Sequence, residues 1–183
     1  MIKVYAMIAD GTEEVECLAV ADVLKRSGMD VTLVSVEAAK NVVTAHQIKI
    51  EADTTIAETD VSDGDLIFIP GGMPGSERLS ACKPLIDALK KQLDSKKRVA
   101  AICAAPAVVL GRHGLLKGKK ATCYPGFEAE LEGAEYSSES VVTDGNVTTA
   151  RGLGVAVDLG LQLAALYFGE AAAQKLREQI QCP

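Results

Sequence analysis

Tryptophan is absent from this 183-residue chain, and aromatic residues make up only 4% of it. That scarcity disfavours a base-stacking platform, which is built on exposed rings. Histidine occurs twice, at His46 and His113. No paired-His, H-x-x-E or Cys-cluster spacing accompanies it, so no metal-ligand set is legible. Cys17, Cys82, Cys103, Cys123 and Cys182 form no C-x-x-C pair, which weakens zinc and thioredoxin-like readings. An odd thiol count in a chain able to bury its own core reads as free cysteines in a reducing cytoplasm. Long apolar runs are lacking as well. Val99–Leu110 contains Pro106 and falls short of the ~20 residues of a membrane span, and the apolar stretch before Asp10 is too short for a signal peptide. Cationic residues are outnumbered, 19 Lys and Arg against 25 Asp and Glu, for a net charge of −6. A phosphate backbone is therefore not an expected partner. Neither a Walker A loop nor G-x-G-x-x-G is present.

What remains is an ordinary globular composition, 48% hydrophobic and 24% charged, without repeats, low-complexity tracts or linkers. One domain over 1–183 is expected, burying roughly 70% of its unfolded surface. Apolar β-rich runs alternate with helical patterns. Ile2–Ala9, Asp30–Val36, Asp65–Pro70 and Arg98–Ile102 read as strands, the first buried on both faces. Residues 13–27 read as a helix with Thr12 as cap, Val15, Leu18, Ala19, Val23 and Leu24 on its buried face, and Gly28 beyond its end. Pro84–Leu93 and Ala104–Leu110 read as further helices, and 153–168 and 170–180 as two closing ones. Asn41–Glu51 suggests a small hairpin at the sheet edge, Lys120–Cys123 a short strand, and Val141–Thr149 a hairpin around Asp144-Gly145-Asn146. This rhythm predicts a mainly parallel sheet with helices on both faces, with its site beyond the carboxyl ends of the strands.

Three strand ends carry chemistry. At Arg98-Val-Ala-Ala-Ile-Cys-Ala-Ala-Pro, small residues flank Cys103 and Pro106 sits inside a first helical turn. Those are the steric requirements of a nucleophile elbow, and a helix N-terminus behind the thiol favours its thiolate. A buried cysteine in an alanine-rich packing segment is the plainer alternative. At Ile69-Pro-Gly-Gly-Met-Pro-Gly, paired glycines after a buried strand fit either an oxyanion-binding turn or an ordinary tight turn. At Asp10-Gly-Thr-Glu-Glu-Val-Glu-Cys, Glu13, Glu14 and Glu16 occupy a first helical turn. Either they compensate the helix dipole or one of them faces a site, and the motif does not say which. His46 and His113 read as surface residues.

Taken together, Asp10-Gly-Thr-Glu-Glu-Val-Glu-Cys, Ile69-Pro-Gly-Gly-Met-Pro-Gly, Ala100-Ala-Ile-Cys-Ala-Ala-Pro and Ala150-Arg-Gly-Leu-Gly resemble the ThiJ/PfpI superfamily. More narrowly they resemble the branch of the Parkinsonism-associated protein deglycase and its bacterial relatives, over nearly the whole chain. The resemblance implies a flavodoxin-like α/β sandwich and a homodimer. It places the nucleophile at Cys103, its protonated acidic partner at Glu16, and oxyanion-binding amides at Gly72 and Ala104. Arg26 falls at the dimer interface and site entrance, and Arg151 in the R-G-x-G motif. The branch is similar in having cofactor-independent glyoxalase or deglycase activity on methylglyoxal, glyoxal or their early protein adducts, oxidation of the cysteine to sulfinic acid, and holdase chaperone behaviour. Two positions depart from family patterns. Tyr124, in Thr122-Cys-Tyr-Pro, stands where many relatives carry an assisting histidine, which leaves Glu16 to carry more of the proton transfer. Ala104 stands where the peptidase branch has histidine, so a Cys-His-acid protease is not expected. The rival reading is an oxidation-sensing protective protein with Cys103 as its sensor thiol, and a third pairs Cys103 with Cys123 as a regulatory disulfide.

Overall fold

The computed structural model describes all residues, Met1–Pro183. In chain order the elements are β1 (Lys3–Ile8), α1 (Glu14–Arg26), β2 (Asp30–Ser35), the hairpin β3 (Asn41–Val43) and β4 (Lys49–Glu51), β5 (Thr54–Thr55), β6 (Leu66–Ile69), α2 (Gly75–Ala81), α3 (Lys83–Asp94) and β7 (Arg98–Ile102). A wide π-helical segment, Pro106–Gly111, follows, then β8 (Lys120–Ala121), β9 (Glu135–Tyr136), β10 (Val141–Asp144), β11 (Val147–Ala150), α4 (Ala156–Phe168) and α5 (Glu170–Gln179). Seven strands form one sheet in the order β10-β11-β7-β6-β1-β2-β5. All neighbours in it run parallel except the β10–β11 hairpin.

Strand residues alternate between two cores, as a period of two requires. Tyr5, Met7, Ile67, Ile69, Val99 and Ala101 face the layer that supplies Leu79, Leu85, Leu89 and Val109. Val4, Ala6, Leu66, Phe68, Ala100 and Ile102 face Val20, Leu24, Leu159 and Leu163 of α1 and α4. Both faces of each central strand are thus apolar, and the three-layer α/β sandwich follows directly. Gly160 lets α4 approach α1 closely, because a Cβ there would lie 2.8 Å from Val23.

Chain direction across the sheet reverses between β1 and β6. From β1 the chain moves outward to β2 and β5, then returns to β6 on the other side of β1. The ends of β1, β6 and β7 therefore border the crevice where open α/β sheets place their sites.

Several local expectations need correction. Val23 and Leu24 of α1 are buried as expected, but Val15 and Leu18 are exposed and Cys17 and Val20 take their place in the core. The helix is apolar on two sides, so periodicity alone did not choose between them. Its N-cap is Glu13, whose Oε2 accepts from Glu16 N at 2.6 Å, while Thr12 Oγ1 accepts from Ala9 N and closes the preceding turn. The segment after Cys103 winds as a π-helix over 106–111. Of Lys120–Cys123 only two residues pair, and with β9 outside the main sheet. The short helix α2 carries no helical periodicity in its sequence, since Gly75-Ser-Glu-Arg-Leu-Ser-Ala offers a single large apolar residue. The Val141–Thr149 hairpin forms as read, with Gly145 at φ +60 in the first central position of a type II′ turn.

Candidate active site

Glu16 reaches the crevice because the loop after β1 is tied down on several sides. Gly11 adopts φ +84, where a Cβ would lie 2.5 Å from Pro74 Cδ, and Glu13 N donates to Gly71 O at 2.9 Å. These contacts hold the start of α1 against the end of β6. The three glutamates of the first turn then separate in role. Glu13 caps the helix, Glu14 turns towards His46, and Glu16 turns inward at 1% exposure. Its Oε2 accepts from Gly71 N at 2.9 Å, and the Cys103 thiol and the Leu153 N–H lie near enough to favour its charged form.

Cys103 sits at φ +65, a left-handed conformation that costs a residue with a side chain about 1–3 kcal/mol. Its backbone is clamped on both sides: Cys103 N donates to Ala150 O at 2.9 Å, and Tyr124 N donates to Cys103 O at 2.7 Å. Ala104 and Ala105 are buried behind it, so nothing larger fits under the turn. The backbone N–H groups of Ala104 and Gly72 lie close enough to Sγ to favour its thiolate form. Gly71 has no room for a side chain, since a Cβ would lie 2.5 Å from Cys103 Cβ and 2.6 Å from Glu16 Oε2. The paired glycines therefore divide their work: Gly71 N–H serves the carboxyl and Gly72 N–H the sulfur.

Burial sets the protonation of this pair. It pushes the Glu16 carboxyl from 4.5 up to about 7, against the pull of the thiol and of the Gly71 and Leu153 amides. It also pushes the Cys103 thiol up to about 12, with the adjacent Glu16 charge adding to it and the Ala104 and Gly72 amides opposing. The expected thiolate-favouring effect of the helix terminus is thus overturned in direction, because desolvation outweighs two amide hydrogen bonds. The two groups titrate as a coupled pair, losing one proton near 7 and holding the other until far higher pH.

Tyr124 borders this pair across Gly152, where a Cβ would lie 3.3 Å from the Tyr124 ring and 3.9 Å from Glu16 Oε1. Its ring packs edge-on to Phe127 at 6.5 Å and is 49% exposed. A hollow of about 360 Å³ opens there, lined by Tyr124, Pro125, Arg151 and Leu153 among others. Arg151 lines it while donating to Ser138 O at 3.3 Å. Arg26 is not gathered in: it lies ten residues along α1 from Glu16, roughly 15 Å away, and pairs with Asp22 at 2.6 Å. His113 bonds Ser80 Oγ at 3.1 Å on the surface, and Cys103 and Cys123 are both free thiols. Two contributors were not anticipated, Gly71 N–H and Leu153 N–H. The Arg-Gly-Leu-Gly motif was the only signal near the second.

A family model described as the DJ-1/PfpI family matches residues 2–166. The chain belongs to the DJ-1/PfpI family. It is 44% identical to protein DJ-1 homolog B of Arabidopsis thaliana over 93% of its own length, and spans only 39% of that relative. To protein dj-1beta of Drosophila melanogaster it is 35% identical, covering 93% of this chain and 91% of that one. The solved structure of oxidized Toxoplasma gondii DJ-1 superposes with a TM-score of 0.96 at 34% identity, covering 99% of this chain and 98% of the other. The DJ-1 fold of these proteins is thus the three-layer sandwich described above. No helix is long and apolar enough to cross a membrane.

Proposed function

We propose that the chain is a cofactor-independent cysteine enzyme of glyoxalase or deglycase type, acting on methylglyoxal, glyoxal or their early adducts on proteins. The observation that carries this reading is the meeting of Cys103 and the buried Glu16 carboxyl at Gly71, where one Cβ position would lie 2.5 Å from Cys103 Cβ and 2.6 Å from Glu16 Oε2. In the one-proton form of the pair, transfer of the thiol proton from Cys103 to the Glu16 carboxylate makes the sulfur a nucleophile. It adds to the aldehyde carbon, and the resulting oxyanion lies on the Gly72 and Ala104 amides. Glu16, having given its proton to that oxygen, removes the hydrogen from the former aldehyde carbon and returns a proton to the neighbouring one. This converts the hemithioacetal to a thioester, and water then releases the hydroxy acid and regenerates the thiol. No external oxidant or reductant is consumed. Tyr124 and Arg151 line the approach and are assigned to substrate contact. Arg26 is kept for a homodimer interface, which the exposed apolar Val15 and Leu18 on α1 also support. The five free thiols favour a cytoplasmic setting. Purified protein should convert methylglyoxal to lactate, with Cys103→Ala and Glu16→Ala each abolishing turnover. No lactate, and no change in any carbonyl chemistry on either substitution, would sink the idea.

A second reading is supported by the lack of an imidazole beside Cys103: His46 lies against Glu14 and His113 against Ser80. A partly exposed thiol facing two amides also suits an oxidation sensor, in which two peroxides convert the thiol to a sulfinate and two waters are released. The oxidized state of the Toxoplasma relative is consistent with that use. Mild peroxide followed by intact-mass analysis should add about 32 Da at Cys103 alone. An unmodified Cys103 removes this reading.

A further inference from the structure

We propose that Glu13, Glu14 and His46 form a binding site for a divalent cation of zinc type, built on nitrogen and oxygen donors and independent of Cys103 chemistry. The three residues are brought together by tertiary structure. Gly11 N donates to Val43 O at 2.8 Å and Ala45 N to Thr12 O at 2.9 Å, docking the β3–β4 hairpin on the loop before α1. His46, at the hairpin tip, is thereby delivered to the first turn of α1. Its Nδ1 lies 2.9 Å from Glu14 Oε1 and 3.7 Å from Glu13 Oε1. One donor atom from each residue falls within 4.8 Å of the others. Donors held ~2.1 Å from a common ion lie up to about 4.2 Å apart, so a small swing of the imidazole, 68% exposed, completes the geometry.

A second observation points to a ligand. Glu14 is 6% exposed, its carboxyl is turned into this cluster through Oε1, and its Oε2 is buried with no hydrogen-bond partner. An orphaned buried acceptor costs about 1–3 kcal/mol. A cation chelated by both oxygens of the Glu14 carboxylate relieves the orphan, whereas the hydrogen bond through Oε1 alone leaves it. Glu13 is similarly divided, since Oε2 caps the helix while Oε1 faces His46. The positive end of α1 opposes a cation with roughly half a charge, and the two carboxylates exceed it. An imidazole donor selects zinc, cobalt or nickel over calcium or magnesium, and solvent on the exposed side of His46 leaves positions for water.

Cobalt(II) added to the full chain tests this. Only two imidazoles exist, so proton NMR reads them separately. Paramagnetic broadening should erase the His46 signals and spare those of His113, without a thiolate-to-cobalt charge-transfer band. Affinity should persist in Cys103→Ala and fall at least about tenfold in Glu14→Gln and in His46→Ala. The latter alters an exposed side chain and so keeps the fold. Unchanged affinity in His46→Ala, a thiolate band with binding lost in Cys103→Ala, or no broadening at millimolar cobalt each overturns the proposal. None of these outcomes bears on lactate formation.

Discussion

Replacing Glu16 by glutamine should flatten the pH dependence of stability between about pH 4.5 and 7. Burial is the main cause of the raised carboxyl, from 4.5 to about 7. Across that window the folded chain keeps a proton that the unfolded chain has released. Stability from this group is therefore complete below the unfolded value and lost as pH rises through the folded one. At ~1.4 kcal/mol per pH unit, the displacement is worth about 3 kcal/mol. Glutamine has no proton to lose. The wild-type-minus-variant difference should fall by about 3 kcal/mol across the window, whatever the absolute stability of either protein. Urea denaturation at half-unit steps from pH 4 to 8, with slopes checked for constancy, measures that difference. Cys103→Ala should retain the effect and enlarge it slightly, since the neighbouring thiol works against burial. A difference curve flat to within about 0.5 kcal/mol would refute the account of Glu16 as a desolvated carboxyl.

The remaining predictions concern the same crevice. Carbonyl turnover should rise with pH through about 7, as the pair loses its first proton, and a pH–rate profile of kcat/KM without that rising limb would count against the one-proton mechanism. Gly71→Ala should remove nearly all Cys103 reactivity towards iodoacetamide or methylglyoxal and cost about 1–3 kcal/mol, because the added Cβ would lie 2.5 Å from Cys103 Cβ; a variant that reacts normally contradicts the packing described. Tyr124→His, restoring an imidazole beside Gly152, should raise methylglyoxal turnover about tenfold or more, whereas an unchanged kcat means position 124 does not reach the reacting atoms. Leu89→Ala, in the core between α3 and the sheet, should cost about 3 kcal/mol by denaturant unfolding while leaving Cys103 reactivity unchanged.

Much of this was legible because it is local. Continuous apolar runs such as Ile2–Ala9 and Asp65–Pro70 specify strands buried on both faces. The alanines around Cys103 specify a turn that only small neighbours permit, and Gly71-Gly72 marks where backbone must approach backbone. From these alone came a parallel three-layer sandwich with its chemistry at the ends of β1, β6 and β7. Other features depended on which distant surfaces meet. The first turn of α1 carries three glutamates, and only the seating of α1 against β6 turns Glu16 inward, leaves Glu13 as cap and sends Glu14 to His46. The buried face of α1 was ambiguous for the same reason, since Val15 and Leu18 compete with Val20 and Leu24 on composition alone. The direction of the Cys103 shift also lay beyond sequence reading, because desolvation depends on everything packed around the sulfur and not on the helix behind it. Nor could sequence spacing reveal His46 beside Glu13 and Glu14, because a hairpin more than thirty residues downstream brings it there. The sequence by itself determined the main strands, most of the long helices and the candidate nucleophile, through periodicity and sterics that act over a few residues. Tertiary structure alone decided which carboxyl meets the thiol and how both hold their protons, because those follow from burial and long-range contact.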